Sequence, residues 1–231
     1  MGKNLIQQRR GKGNTRYRSP SHRFRGKVTY GSIPQGATQG VVSAIIDAPG
    51  RTTPLAEVTY GDKTVLYLPN AGMSVGQTLN TGEMSEGNIV TLRDVPEGTR
   101  IFNIELTPGD GGRLCRSSGT TATVIAREAS TVTVLMPSKQ QKKISGDCRA
   151  TIGATAGFGR KDKPFMKAGN KHYAMKAMGK LTAITSPINM NAVQHPFGGK
   201  NLGKQKNVAR GTPPGRKVGN LWPRRTGKKK R

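Results

Sequence analysis

The feature that most limits how this chain folds is the uneven placement of its charged residues. Residues 1–46 contain nine Lys or Arg and no acid, and residues 138–231 contain 23 Lys or Arg against two acids. Residues 47–137 contain seven Lys or Arg and ten acids. Segments of like charge repel themselves and typically bind a polyanion. We therefore predict the folded core in the centre, and we expect the formal net charge of +27 to attract nucleic acid or an anionic membrane to the two ends.

The central segment has the pattern of many short β-strands. Leu55–Tyr60 and Thr64–Leu68 are rich in β-branched and aromatic residues, and Gly61-Asp62 separates them as a turn. Thr99–Leu106 alternates along its length, which sets Ile101 and Phe102 on opposite faces of a strand. Further strands are predicted at Val41–Asp47, Asn88–Leu92, Thr121–Ala126, Thr131–Met136, Lys143–Ile144 and Ala150–Ile152. Short strands at intervals of about ten residues, separated by Gly and Pro, indicate small barrels. A hairpin that ends in Leu-Pro near Pro69 recurs as one that ends in Met-Pro at Pro137, which favours two barrels in tandem.

The two ends of the chain have a different character. Residues 1–27 show no apolar period, and residues 180–231 combine Gly and Pro with scattered Lys and Arg. Such segments bury too little surface to offset chain entropy, so we predict that they are disordered without a partner. One short helix is predicted at Asn170–Leu181, with Lys171, Lys176 and Lys180 near one side.

Several classes of protein are excluded by the sequence. No apolar run approaches the ~18 residues that a membrane-spanning helix requires. The basic N-terminus has no apolar stretch after it, so it is not expected to be a secretory signal. Two cysteines, Cys115 and Cys148, provide neither a disulfide framework nor a four-cysteine zinc site. No metal or cofactor is expected.

The aromatic side chains suggest how the basic segments contact a polyanion. Aromatic rings that lie among Lys and Arg residues are suited to stacking on unpaired bases. The planar guanidinium group of arginine can bind phosphates and the edges of guanine bases. Packing of the ends onto the barrels is the alternative interpretation for each ring. Eight of the eleven aromatic residues lie in or beside basic segments: Tyr17, Phe24, Tyr30, Phe158, Phe165, Tyr173, Phe197 and Trp222.

Enzyme motifs are scarce. Residues 198–204 have the glycines and the lysine of a P-loop, but Gln205 follows where Ser or Thr is required. The last 69 residues contain no acid, so His195 has no carboxylate near it in sequence to orient it as a general base. A loop or RNA-contact role is therefore favoured over catalysis for His195.

Eight short segments of the sequence, taken in order along the chain, are specific enough to indicate a protein family. They are RYRSPSHRFRG (residues 16–26), VPEGT (95–99), FNIELTPGDGGRLCRSSGT (102–120), CRATIG (148–153), KPFMKAGNKHY (163–173), MNAVQHPFGG (190–199), PPGRKVG (213–219) and RRTG (224–227). Together they resemble the universal large-subunit ribosomal protein L-two family, in its archaeal and eukaryotic branch. The resemblance covers nearly the whole chain in the right order.

The resemblance implies a mostly β fold: an OB-type barrel followed by an SH3-like barrel, with long basic N- and C-terminal extensions. On this basis residues 1–34 form the N-terminal extension, 35–94 the OB-like barrel, 95–175 the SH3-like barrel and 176–231 the Gly/Pro-rich C-terminal extension. It also implies a cytoplasmic, structural ribosomal protein that is not an enzyme.

The family binds large-subunit ribosomal RNA near the peptidyl transferase region, and it supports subunit assembly and subunit association in translation. Other large-subunit proteins, and small-subunit RNA at an intersubunit bridge, are further expected partners. Neither a membrane partner nor a homo-oligomer is expected. Two departures from the family pattern are Gln194, where an acid is usual, and a shorter glycine run that ends at Lys200.

The predicted RNA contacts combine the basic segments with positions matched by the resemblance, such as the arginine of CRATIG and the histidine of MNAVQHPFGG. The predicted residues are Arg9, Arg10, Lys12, Arg16, Arg18, His22, Arg23, Arg25, Arg149, Arg160, Lys161, Lys163, Lys167, Lys171, His172, Lys176, His195, Lys200, Arg216, Lys217, Arg224 and Arg225.

Two other classes of function stay open on the sequence alone. An architectural DNA-binding protein would account for the charge, and it predicts equal affinity for duplex DNA and ribosomal RNA. An enzyme that uses His195 predicts that a His195→Gln variant loses a chemical step while subunit assembly continues.

Overall fold

The computed structural model describes residues 3–34, 38–200 and 207–221, and it divides the chain into two compact units. We call Ser21–Met166 the central unit, and Met1–Pro20 together with Lys167–Arg231 the terminal unit. Within the described ranges, no helix is both long and apolar enough to cross a membrane.

The first sheet of the central unit has four antiparallel strands: β1 (Gln39–Ile46), β2 (Leu55–Tyr60), β3 (Lys63–Tyr67) and β4 (Thr78–Asn80). Their order in the sheet is β3-β2-β1-β4. The predicted hairpin is confirmed, since Gly61 forms the turn between β2 and β3 with a φ of +57°. The sequence did not predict β4, which is three residues long and pairs with the first part of β1.

The second sheet has six antiparallel strands: β5 (Ile89–Thr91), β6 (Arg100–Phe102), β7 (Ala122–Arg127), β8 (Thr131–Leu135), β9 (Gln141–Ser145) and β10 (Arg149–Ile152). Their order in the sheet is β5-β10-β6-β7-β8-β9. Strand β5 lies inside the predicted range 35–94 but is hydrogen-bonded to β10. The division between the two sheets therefore falls before β5, because β5 pairs with a strand that is distant in sequence.

Ile101 and Phe102 lie on opposite faces as predicted, but the strand predicted over Thr99–Leu106 is shorter than expected. Strand β6 ends at Phe102, because Asn103 adopts a left-handed backbone with a φ of +49°. Ile101, Phe102 and Ile104 are all fully buried. Ile101 packs in the core of the second sheet, whereas Phe102 packs with Leu55 and other residues in a separate cluster, so both faces of β6 are covered.

Three apolar clusters form the core of the central unit. One fills the six-stranded sheet around Leu92, Ile101 and Val132, and another fills the four-stranded sheet around Val58 and Tyr30. The third includes Val28, Ala48, Leu55, Leu68 and Phe102. Val28 and Tyr30 come from the predicted N-terminal extension 1–34, so the end of that segment contributes to the core of the central unit.

The terminal unit contains helices α1 (Ile6–Gly11) and α2 (Ala168–Ala177) and a parallel pair, β11 (Asn207–Val208) with β12 (Asn220–Leu221). The predicted helix at Asn170–Leu181 exists but begins and ends earlier. Lys180 lies beyond its end, and Lys171 and Lys176 are about 140° apart around its axis at 100° per residue, so the predicted lysine face is wrong. The terminal unit also has short 3-10 helices at Thr15–Tyr17, Pro187–Asn189 and Pro214–Arg216. In the central unit, short 3-10 helices are at Ser21–Arg23, Tyr30–Ser32 and Leu92–Asp94.

The two ends of the chain come together in the terminal unit. The N–H of Lys3 donates to the carbonyl of Val193 at 2.8 Å, and Leu5 is 3% exposed. Gly179, two residues after the end of α2, has a left-handed backbone, and its neighbour Lys180 donates its N–H to the carbonyl of Met175. A Cβ at Gly179 would lie 2.9–3.0 Å from main-chain atoms of Ser19 and Tyr17. The sequence treated these ends as separate extensions, and only tertiary contacts join them.

Candidate nucleic-acid interface

The two units differ strongly in charge. All twelve acidic residues lie in the central unit, together with 17 of the 39 Lys and Arg. The terminal unit therefore has the other 22 Lys and Arg and no Asp or Glu. Because that unit offers no side-chain carboxylate to neutralise its cations, its field favours an external polyanion.

The predicted contact residues lie almost entirely at the surface. Of the 22, 18 are exposed, and Arg149 and His195 are partly buried. Arg224 and Arg225 lie outside the residues that the structure describes. Eight of the exposed residues precede residue 26, three follow Phe158 in the central unit, and the other seven lie between residues 167 and 217. The predicted RNA contacts themselves stay a prediction.

The loop at residues 157–166 keeps the combination of rings and cations that suits single-stranded RNA. Phe158 is 59% exposed and Phe165 is 43% exposed. Arg160 donates its Nε–H to the Ser118 hydroxyl at 3.0 Å, which fixes one end of its guanidinium. Lys161 and Lys163 follow at the surface. This loop presents both stacking and phosphate-binding groups.

Arg149 is engaged inside the protein. Its Nη2 and Nε atoms lie 3.0 Å and 3.4 Å from the two carboxylate oxygens of Glu105, whose side chain is fully buried. Its backbone N–H also donates to Glu105 Oε2 at 2.8 Å. The guanidinium carbon lies 5.3 Å from the centre of the Tyr30 ring. The Arg149 side chain is 35% exposed, so only that part of it remains accessible to RNA.

Glu105 receives a further hydrogen bond from the glycine-rich loop that follows it. The N–H of Gly111 donates to Glu105 Oε1 at 3.0 Å. A Cβ at Gly111 would lie 1.8 Å from Thr29 Oγ1, and the φ of Gly111 is +81°, so only glycine fits there. Glu105 was not among the residues predicted from the sequence. The feature that could have indicated it is an acidic residue between the apolar Ile104 and Leu106, followed by a glycine-rich segment.

Tyr30 packs in the core and does not stack on RNA bases. Its ring is 2% exposed, and burial raises the pKa of its hydroxyl well above the usual value. The hydroxyl donates to the carbonyl of Asn103 at 2.8 Å and lies 2.7 Å from Thr151 Oγ1. Tyr67 of β3 lies 3.2 Å from the same Thr151 hydroxyl of β10, so this polar contact connects the two sheets. For Tyr30 the packing interpretation is the correct one.

Helix α2 presents its polar side chains to solvent. Lys171, His172 and Lys176 are exposed, and the Tyr173 ring is 71% exposed. The His172 and Tyr173 rings meet edge to face with their centres 5.5 Å apart. An exposed ring between cations is the arrangement that the sequence predicted for contact with unpaired bases.

His195 lies in a tight loop of the terminal unit. Its Nδ1 accepts the N–H of Phe197 at 3.1 Å, and its ring meets the Phe197 ring at 5.1 Å in an edge-to-face arrangement. Burial lowers the pKa of His195, which favours the neutral imidazole. Because Nδ1 accepts the Phe197 N–H, that neutral form carries its proton on Nε2. Since the terminal unit contains no acid, it has no carboxylate that could orient this imidazole as a general base.

The described part of the terminal unit brings three of the predicted residues around one cavity. Arg9 and Arg10 of α1 and His195 line a space of about 410 Å³, together with Lys3. A second cavity of about 550 Å³ includes Arg216. Among the described residues, no group of three His, Cys, Asp or Glu could hold a metal ion.

Comparison with known proteins identifies the family. A family model described as Ribosomal Proteins L2, C-terminal domain, matches residues 85–217. A large ribosomal subunit protein uL2 from Methanothermobacter thermautotrophicus is 45% identical over 242 aligned positions that cover 100% of both chains. Proteins of the same name from Methanococcus vannielii and Natronomonas pharaonis are 44% and 41% identical over 99% of this chain and 100% and 97% of theirs. The chain belongs to the ribosomal protein L2 family.

Membership of the L2 family confirms the resemblance found in the sequence, including its archaeal branch. The L2 family consists of structural proteins of the large ribosomal subunit, which is cytoplasmic in archaea. The prediction that the chain is not an enzyme is thereby confirmed, and the hypothesis of catalysis by His195 is wrong.

The match to the L2 C-terminal domain crosses both units. Residues 85–217 include the whole six-stranded sheet, helix α2 and the loop with His195. Strands β1–β4 precede this match, and the full-length L2 relatives extend over them. The mostly β character predicted from the sequence is confirmed by the two antiparallel sheets.

Proposed function

We propose that this L2-family protein binds large-subunit ribosomal RNA near the peptidyl transferase region and supports assembly of the large subunit and its association with the small subunit. The observation that carries the proposal is the acid-free terminal unit with its 22 Lys and Arg. Phosphate groups inside folded RNA neutralise such cations and release their counterions. Other large-subunit proteins, and small-subunit RNA at an intersubunit bridge, are the further partners we propose.

We also infer that the four-stranded sheet corresponds to the OB-type barrel and the six-stranded sheet to the SH3-like barrel. In this arrangement the two barrels position the protein, while the cations of residues 3–34 and 167–231 enter the RNA. The nearly balanced charge of the central unit supports this division, because 12 acids accompany its 17 Lys and Arg.

A salt titration tests the proposal. Full-length protein is bound to a large-subunit RNA fragment at increasing salt, and the slope of log affinity against log salt is measured. A Lys171→Gln, Lys176→Gln variant should lower the magnitude of that slope by about 1–2, because each lost phosphate contact removes about one released counterion. The matched control is Lys63→Gln, Lys139→Gln, which neutralises two exposed lysines of the central unit. Its slope should equal that of the unmodified protein.

The same assay separates RNA binding from general binding of polyanions. Competition with duplex DNA should leave most of the protein on ribosomal RNA. Equal competition by duplex DNA would favour the architectural DNA-binding alternative. An affinity for the RNA fragment that does not change with salt would contradict the proposal altogether.

A further inference from the structure

The cavity between helix α1 and residues 184–195 has walls of mixed chemistry. Ile6, Ile184, Pro187 and Met190 form its apolar part. Ile184 is 66% exposed, so a large apolar surface lies open in the most basic part of the molecule. Ala183, immediately before it, has a left-handed backbone with a φ of +58°, which an alanine rarely adopts. The chain thus accepts a disfavoured conformation where it enters this wall.

The polar part of the cavity consists of hydrogen-bonding amides and cations. Gln7 and Gln194 line it with groups that both donate and accept, and Lys3, Arg9 and Arg10 line it with positive charge. The terminal unit supplies no acid to any of these cations. The occupant that complements this lining is an anion with a flat apolar face and a hydrogen-bonding edge.

Main-chain contacts hold the two walls in place. The hydrogen bond from Lys3 N–H to the Val193 carbonyl joins the segment before α1 to the opposite wall. The N–H of Gly199 donates to the carbonyl of Met190, and a Cβ at Gly198 would lie 2.3 Å from that same carbonyl oxygen. The wall that contains Met190 and His195 is therefore fixed by backbone geometry, which favours a preformed cavity.

His195 adds a directed donor to this lining. Because Nδ1 accepts the Phe197 N–H, the neutral imidazole has its remaining proton on Nε2. A cavity of about 410 Å³ lies within the range of about 300–1,000 Å³ that is typical of small-molecule sites. The space is thus of the right order for one nucleotide.

We propose that this cavity binds a single unstacked nucleotide of RNA, with its base against Ile184 and Met190 and its phosphate near Arg9 and Arg10. The inference rests on the proposed RNA-binding function and specifies one site within it. Gln7, Gln194 and the imidazole of His195 are the groups that contact the edge of the base.

The first test follows methionine methyl groups of the full chain by NMR as AMP or CMP is added. The Met190 methyl resonance should move with either nucleotide, through the ring current of the base, and should not move with ribose 5-phosphate or inorganic phosphate. The methyl group of Met84, which is exposed in the acidic stretch between Glu83 and Glu86, is the internal control and should stay fixed. A Met190 shift of the same size with phosphate alone would overturn the proposal of a base site.

The second test fills the cavity with Met190→Trp and uses Met84→Trp as the matched control. For an RNA fragment with an unpaired nucleotide, Met190→Trp should weaken binding about 10-fold at fixed salt, in keeping with the loss of one stacked base. Its salt slope should not change, because all the cations remain. A fully paired RNA duplex should bind both variants and the unmodified protein equally.

The outcomes separate this proposal from the one it rests on. Suppose that the unmodified protein binds ribosomal RNA with a steep salt dependence, but that the Met190 methyl resonance does not shift with either nucleotide. The nucleotide site is then refuted, and the RNA-binding function stands. Equal weakening of Met190→Trp on paired and unpaired RNA would also refute the site. Failure of the unmodified protein to bind any ribosomal RNA fragment would refute the proposed function itself.

Discussion

The buried carboxylate of Glu105 permits the sharpest test of how the central unit is held together. Its side chain is fully buried, and its two oxygens accept the N–H groups of Gly111 and Arg149 and the guanidinium of Arg149. A Glu105→Gln substitution keeps the size of the side chain but removes the charge, and it turns an NH₂ group toward these donors. The guanidinium of Arg149 then loses its carboxylate partner.

The expected cost follows from this geometry. Breaking one partner of a buried ion pair typically destabilises a protein by about 3–5 kcal/mol. The Arg149 side chain is 35% exposed and recovers some solvation when its partner is lost, so we expect the lower end of that range, about 3 kcal/mol. The measurement is the free energy of unfolding in urea, followed by circular dichroism on the full chain.

A matched control comes from another glutamate of the central unit. Glu128 pairs with Lys143 at 2.8 Å, but both side chains are more than half exposed. Glu128→Gln should therefore leave the free energy of unfolding unchanged within error. Combining Glu105→Gln with Arg149→Met should cost less than the sum of the two single changes, by about 2 kcal/mol, because the pair is lost only once. Equal stability of Glu105→Gln and Glu128→Gln would refute the reasoning.

Three further predictions concern other parts of the chain. Gly179→Ala should destabilise the end of α2 by about 1–2 kcal/mol, because Gly179 has a left-handed backbone that alanine disfavours. Gly169→Ala should instead stabilise the helix by about 0.5–1 kcal/mol, because open space surrounds Gly169. Hydrogen exchange of the α2 amides measures both effects. Tyr30→Phe should lower the free energy of unfolding by about 1–3 kcal/mol in the urea assay, since it leaves buried hydrogen-bonding groups unpaired, and an unchanged value would contradict this. Burial raises the pKa of the Cys115 and Cys148 thiols to about 11, which lowers the thiolate fraction, so iodoacetamide at pH 8 should label the folded chain about 100-fold more slowly than the urea-unfolded chain. Equal labelling rates would show that the thiols are not protected.

The sequence determined the features that depend on neighbouring residues. The hairpin of β2 and β3 follows from two short apolar runs around Gly61-Asp62, and the structure places β2 at the predicted residues. The segregation of charge, the mostly β character and the family strings are likewise local properties of the chain. They were sufficient to identify the family.

Tertiary structure decided the features that depend on residues distant in sequence. Glu105 meets Arg149 across 44 positions, and Tyr30 meets Thr151 across 121. Lys3 and Val193, near opposite ends of the chain, join within one unit. Neither periodicity nor composition records such pairings, because a strand or loop pattern is the same whichever partner it meets. The sequence thus predicted where the positive charge lies, and the fold decided that Arg149 is paired internally and that Arg9, Arg10 and His195 share one cavity.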